Sequence, residues 1–242
     1  MKRRPTAVTF DCWNTLLVEE DWAEAHRRRA DALLHAARES GARVEPEAAA
    51  AAFDRAWQRH VDLWVEGVAS GARQVAGWAM HELGALDHGP TFELLVAHLE
   101  HASHSSRVVP VAGAVETVER LVAAGVKCAL ICDTGLTPGR VVREHLARLG
   151  MIPGLAAQLF SDEVGVPKPN PRIFHAALGA LAVAPAASFH VGDLRRTDVA
   201  GARGVGMASV RLRAAHDDPS PLPEADHVAA SHEELREILG VG

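Results

Sequence analysis

Apolar positions change texture twice along this chain. A compact run, Val8-Thr9-Phe10, leads straight into Asp11 and is followed by Thr15-Leu16-Leu17, which predicts a buried strand ending at a carboxylate. From Glu19 to about His104 the spacing is helical. Ala25, Ala30, Leu33, Leu34 and Ala37 mark one face of a helix over 22–40. Pro46 suits the first turn of a second helix, which runs through Phe53, Trp57, Val61 and Trp64. A shorter helix is expected over 74–83, and Pro90 opens a fourth through Leu95 and Leu99. No strand is expected in this region, and Trp22, Trp57, Trp64 and Trp78 read as helical core.

From Val108 onward, short apolar runs alternate with amphipathic ones. A helix over 112–124 stops at Gly125, and Val126 to Ile131 follows as a strand. Pro138 begins a helix that ends near Gly150, Leu159-Phe160 makes a short strand, and Pro171 to Leu181 another helix. Strands over 188–191 and 207–211 flank a short helix near 198–204. An edge strand over 227–230 precedes a last helix over 232–239. Such alternation implies a mostly parallel sheet covered on both faces. The predicted fold class is therefore α/β, a doubly wound, mostly parallel sheet interrupted after its first strand by an all-helical insert. The core is expected in 1–17 and 108–242, and the insert in 18–107.

Composition narrows the function classes. With 242 residues, 48% hydrophobic and 23% charged, the chain has the make-up of an ordinary globular protein. A formal net charge of −6 offers no basic footprint for nucleic acid. Arg27-Arg28-Arg29 reads as a solvated helix face. The basic start, Met1-Lys2-Arg3-Arg4-Pro5, precedes an apolar stretch far too short for a signal peptide, and no run reaches the length of a membrane span. Cys12, Cys128 and Cys132 have neither metal-ligand nor disulfide spacing. The expected setting is a reducing cytoplasm, and the expected partner is a small molecule rather than nucleic acid or membrane. Oligomeric state is not legible in the pattern.

Candidate chemistry collects at the strand ends. The first strand presents Asp11 and Thr15, and the second presents Cys132-Asp133-Thr134-Gly135. After the third comes Gly165-Val166-Pro167-Lys168-Pro169-Asn170-Pro171, whose prolines stiffen the loop that presents Lys168. The fourth presents Gly192-Asp193, with Asp198 after a short loop. A parallel sheet projects all four to one edge, so three carboxylates and one ammonium converge. The acids repel one another unless a cation joins them, and a few hard oxygen ligands suit Mg²⁺ with a substrate phosphate. Lys168 then offsets the charge of Asp11 and of the phosphoryl oxygens.

In Phe10-Asp11-Cys12-Trp13-Asn14-Thr15-Leu16, in Val166-Pro167-Lys168-Pro169-Asn170-Pro171-Arg172-Ile173-Phe174, and in His190-Val191-Gly192-Asp193 through Asp198-Val199-Ala200-Gly201-Ala202, the chain closely resembles the haloacid dehalogenase-like (HAD) hydrolases. The resemblance covers the core, and the insert resembles the family's helical cap in position and helical character. It implies that Asp11 attacks phosphorus to give an aspartyl-phosphate, which water then hydrolyses. It implies Mg²⁺ held by Asp11, the backbone carbonyl of Trp13, Asp193 and Asp198. It also implies that Thr15 orients the loop, that Lys168 bridges nucleophile and phosphate, and that the cap closes over the site and chooses the substrate.

Two positions depart from that family. Its phosphatases usually carry a second aspartate at the position of Trp13, as acid and base for the leaving group and the water. Indole does neither, so Trp13 is an aromatic wall for the substrate or plain packing. Cys132 stands where the family places Ser or Thr to bind phosphate, and Cys is a weaker donor that Thr134 would have to supplement. Three readings stand at this point. The leading one is a Mg²⁺-dependent phosphatase acting on a small phosphorylated metabolite, fastest with good leaving groups. The second is a metal-independent 2-haloacid dehalogenase, of which an aromatic at Trp13 is reminiscent and against which Gly192-Asp193 counts. The third is a phosphate-binding or regulatory module.

Overall fold

The structure, a computed structural model, describes residues 4–242, and the basic start Met1-Lys2-Arg3 lies outside them. Strand β1 (Ala7–Phe10) is buried at every position. The chain then passes through β2 (Leu17–Glu19) into four helices, α1 (Trp22–Glu39), α2 (Pro46–Val65), α3 (Ala72–Glu82) and α4 (Pro90–His101), and returns by β3 (Val108–Pro110). There follow α5 (Ala114–Ala123), β4 (Lys127–Cys132), α6 (Gly139–Arg148), β5 (Ala157–Phe160), the single turn α7 (Ser161–Val164) and α8 (Pro171–Leu181). The chain ends with β6 (Ser188–Gly192), α9 (Ala200–Gly204), β7 (Ala208–Leu212), β8 (His227–Ala229) and α10 (His232–Leu239).

Six strands form one sheet in the order β5-β4-β1-β6-β7-β8, with every pairing parallel. Helix α8 lies on β4 and β5 and packs against α9, while α5 packs against α10. This is the doubly wound α/β architecture expected from the alternation of strands and helices. The strand order reverses at β1, between β4 and β6, and open α/β sheets bind ligands outside the carboxyl ends of strands at such a switch point. Proline at the first turn opens α2, α4 and α8, and the Asn170 side chain caps α8 by accepting from the Arg172 N–H. Two features were not legible. Strands β2 and β3 form a separate two-stranded sheet, and three residues apiece are too short to show a period. The single turn of α7, four residues long, is likewise too short to show a period.

The chain divides into two compact units. One comprises the described part of Met1–Val18 with Val109–Asp133 and Arg143–Gly242, and the other Glu19–Val108 with Thr134–Val142. In the helical unit α1 packs on α2 and α4, and α3 on α2 and α4. Its core holds Leu33, Phe53, Val75, Met80 and Leu99, and Leu136 from the later segment joins them. Two expectations are corrected here. Arg29 is not solvated but 2% exposed, because it falls on the buried stripe with Ala25 and Leu33, and its Nε donates to Leu99 O at 3.4 Å. Trp22 is 43% exposed rather than core, because it is the first residue of α1, where the buried stripe has not yet begun; its ring lies 4.9 Å from that of His26. Trp57 and Trp78 do pack on the core, each partly buried. Among the described residues no helix is long and apolar enough to cross a membrane. All three cysteines are buried free thiols.

Candidate active site

Loops at the carboxyl ends of neighbouring strands deliver the charged groups. Asp11 follows β1, and its N–H donates to Val191 O at 2.8 Å, which keeps β1 and β6 paired up to the acid. Asp193 follows β6, and Asp198 lies on a π-helical turn, Arg195–Val199. Gly192 makes room for it, since a Cβ there would fall 2.2 Å from Asp198 Cγ. Lys168 stands in the loop before α8, fixed by its backbone N–H, which donates to Asp133 Oδ1 at 2.8 Å. Gly201 lets α9 approach this loop, since a Cβ there would lie 2.3 Å from the Phe174 ring and 3.3 Å from Pro169 Cα. The Lys168–Pro169 peptide is cis.

These supports bring four side chains together. Oxygens of Asp11, Asp193 and Asp198 lie within 4.8 Å of one another, and all three residues are buried. Lys168, itself 1% exposed, donates from Nζ to Asp11 Oδ1 at 2.5 Å and to Asp198 Oδ1 at 2.7 Å. Asp198 also accepts from His190 Nε2 at 3.0 Å and from the Leu194 N–H at 3.0 Å. An ionised carboxylate only accepts, so Nε2 carries the imidazole proton and Nδ1 accepts from the Thr9 hydroxyl at 2.7 Å. Parallel pairing of β1 with β6 sets Thr9 opposite His190 and so puts both on one face.

Burial dominates the electrostatics. It pushes Asp11 up to about 7, with Lys168 opposing and Asp198 reinforcing the rise. It pushes Asp193 up to about 8, helped by the negative charges of Asp11 and Asp198. Burial also works against the Asp198 carboxylate, but Lys168 and His190 outweigh it and hold the group well below the usual range. The same contest at Lys168 is won by Asp11, Asp198 and Asp133, so the ammonium persists. Burial lowers the His190 pKa, keeping the ring neutral. One ammonium thus faces three acids and bonds to two of them. The surplus of carboxyl groups over the one ammonium, the all-oxygen donor set and the spacing fit a hard divalent cation such as Mg²⁺, which would draw the protons off Asp11 and Asp193.

The family model for haloacid dehalogenase-like hydrolases matches residues 5–206. The chain belongs to that family. Glyceraldehyde 3-phosphate phosphatase of Methanopyrus kandleri is 28% identical to this HAD-like hydrolase over 97% of this chain and 96% of its own. Haloacid dehalogenase-like hydrolase domain-containing protein 3 of Bos taurus is 29% identical over 81% and 78% of the two chains. Among solved structures, a HAD phosphatase from Thermococcus onnurineus superposes with a TM-score of 0.68 at 25% identity, covering 97% of this chain and 98% of that one. A 2-haloacid dehalogenase from Pseudomonas syringae pv. Tomato DC3000 also reaches 0.68, over 98% of each chain, at 22% identity, which is a likeness of fold alone.

The other candidate residues of this HAD-like hydrolase are placed less simply. Trp13 is half-buried and bridges to Leu17. Thr15 is fully buried; its carbonyl accepts from His232 Nε2 at 2.9 Å, while its hydroxyl makes no hydrogen bond among the described residues. Cys132 is fully buried, its Sγ 3.5 Å from Asp133 O, and a hydrogen bond with Cys12 together with burial keeps the thiol protonated. Asp133 serves the Lys168 loop through one oxygen. Thr134 is buried at the start of the segment that belongs to the helical unit. Three histidines escaped sequence reasoning: His190 beneath Asp198, His216 on Asp193, and His232 on the Thr15 carbonyl. His190 stood inside a motif, two residues before Gly192, where alternation places it on the face of Thr9. Nothing local singled out the other two.

Proposed function

We propose that this HAD-like hydrolase is a Mg²⁺-dependent phosphatase that acts on a small phosphorylated metabolite through an aspartyl-phosphate on Asp11. The observation that carries the reading is the buried Lys168 ammonium joining Asp11 and Asp198 within a three-carboxylate cluster. The phosphatase names of two relatives support the class. Asp11, the Trp13 carbonyl, Asp193 and Asp198 would hold the cation, whose chemistry there is to neutralise phosphoryl oxygens.

Lys168 orients Asp11 through Oδ1 and leaves the second carboxylate oxygen to attack phosphorus. The bond from Asp11 to phosphorus forms as the bond to the leaving oxygen breaks, and the Lys168 ammonium stabilises charge on the transferring group. Water then cleaves the acyl phosphate, releasing inorganic phosphate and the free Asp11 carboxylate. Trp13 donates no proton to the leaving oxygen, so substrates with acidic leaving groups are favoured. A haloacid substrate fits less well, because its carboxylate would meet Asp193 and Asp198 without an intervening cation. Buried free thiols accord with a reducing cytoplasm.

The test is turnover of p-nitrophenyl phosphate with Mg²⁺ and with a chelator, in the natural chain and in Asp11→Asn. Activity that needs Mg²⁺ and disappears in Asp11→Asn is expected. Full activity in Asp11→Asn, or chloride release from 2-chloropropionate in chelator, would overturn the assignment.

A further inference from the structure

The three acids are not equally provided for. Lys168 bonds to Asp11 and Asp198, whereas among the described residues it is His216 that reaches Asp193, its Nδ1 lying 2.7 Å from Oδ2 and donating to that oxygen once the carboxylate is ionised. His216 comes from the loop after β7, far from any motif, and is 38% exposed. We infer that His216 is a positioning residue for the cation site, holding Asp193 by one oxygen so that the other faces the ion. The inference rests on Asp193 being a ligand, as proposed above.

The loop that carries His216 is built to hold it. Arg211, 3% exposed on β7, donates from Nε and Nη2 to the two oxygens of Glu224, each at 2.8 Å, and from Nη1 to Asp217 Oδ1 at 2.6 Å. Arg195, two residues beyond Asp193, donates from its backbone N–H to Asp218 Oδ2 at 2.7 Å and from Nη2 to Glu224 Oε2 at 2.8 Å. Asp218 also accepts from Ser220, at 2.8 Å from the backbone N–H and 3.0 Å from the hydroxyl. His216 is therefore flanked by fixed points on both sides, one of them tied to the segment that bears Asp193. A half-exposed imidazole on an untethered loop would lose more side-chain freedom for the same bond. Ligating carboxylates depend on such outer partners, and removing one typically costs about 10–100-fold in metal affinity.

Binding of Mn²⁺ alone to the full chain, followed by loss of the free-ion EPR signal, tests this. Four chains are compared: natural, His216→Ala, His216→Asn and Asp193→Asn. Asparagine places an N–H donor at the same distance from Cβ as imidazole Nδ1. The expected result is that Asp193→Asn abolishes binding and His216→Ala weakens it by about 10–100-fold. His216→Asn should restore most of the affinity, with the melting temperature in chelator unchanged in both His216 variants. Abolition by Asp193→Asn with His216→Ala within twofold of the natural chain would overturn the role of His216 while the cation site stands. Failure of His216→Asn to rescue would overturn it as a donor. Undiminished binding in Asp193→Asn would remove the proposed cation site itself, and this inference with it.

Discussion

Under the proposed mechanism, Trp13 limits the chemistry more than any other residue. An indole beside Asp11 cannot protonate a leaving oxygen, and general acid–base catalysis is worth about 10²–10⁴-fold. Trp13→Asp should therefore raise kcat/KM for an alkyl phosphate relative to p-nitrophenyl phosphate by about 10²-fold, toward the lower end of that range because no surrounding group is tuned for the new acid. An unchanged ratio would show that leaving-group protonation is not what this site lacks. The acids carry a second prediction. Asp11 and Asp193 hold their protons up to about 7 and about 8, against the usual 3.8, so protons would compete with the proposed cation as pH falls. Calorimetric Mg²⁺ affinity should drop at least about tenfold between pH 8.5 and pH 6. Because the fold binds these protons more tightly than the unfolded chain, the metal-free protein loses stability from these two groups as pH rises from 3.8 through about 8. Mg²⁺ should thus raise the melting temperature more at pH 8.5 than at pH 6, and equal increments would contradict the shifts. The acids were legible because each follows a strand or motif; the histidines that fix Asp198 and Asp193 lie elsewhere in the chain.

At the scale of elements, two glycines let the supporting pieces close up. A Cβ at Gly192 would collide with Asp198 at the β6 end, and one at Gly201 would collide with Phe174 where α9 meets α8. Gly192→Ala and Gly201→Ala should each cost about 1–3 kcal/mol in denaturant melts, with Gly192→Ala also losing Mn²⁺ binding. Gly179, inside α8, is the contrast, because a Cβ there would meet nothing within 4 Å. Gly179→Ala should stabilise by about 0.5–1 kcal/mol, because the unfolded chain loses freedom while the helix gains a better former. Element order was legible because prolines and glycines punctuate it and long periods repeat within it. The β2–β3 pair and the turn that carries Asp198 were not, since three to five residues cannot display a period.

For the whole molecule, the division of the chain does not follow its order. Segment 134–142 belongs with the helical unit, and Leu136, 4% exposed, sits in that unit's core. Leu136→Ala should destabilise the protein by about 2–5 kcal/mol, seen as a lowered denaturant midpoint with native-like Mn²⁺ binding retained at low denaturant. A loss below about 0.5 kcal/mol, as for an ordinary surface change, would mean that the segment is a dispensable loop. Taken alone, the sequence determined the alternation of strands and helices, the parallel sheet and the acids at its edge, because these follow from periodicity, chain direction and local steric rules. Only the tertiary structure decided that Lys168 bonds to two acids and His216 to the third, that Arg29 is buried, and that Leu136 completes a core begun far upstream. Those outcomes depend on which distant surfaces pack and which charges then lose water, and no local window of residues contains that information.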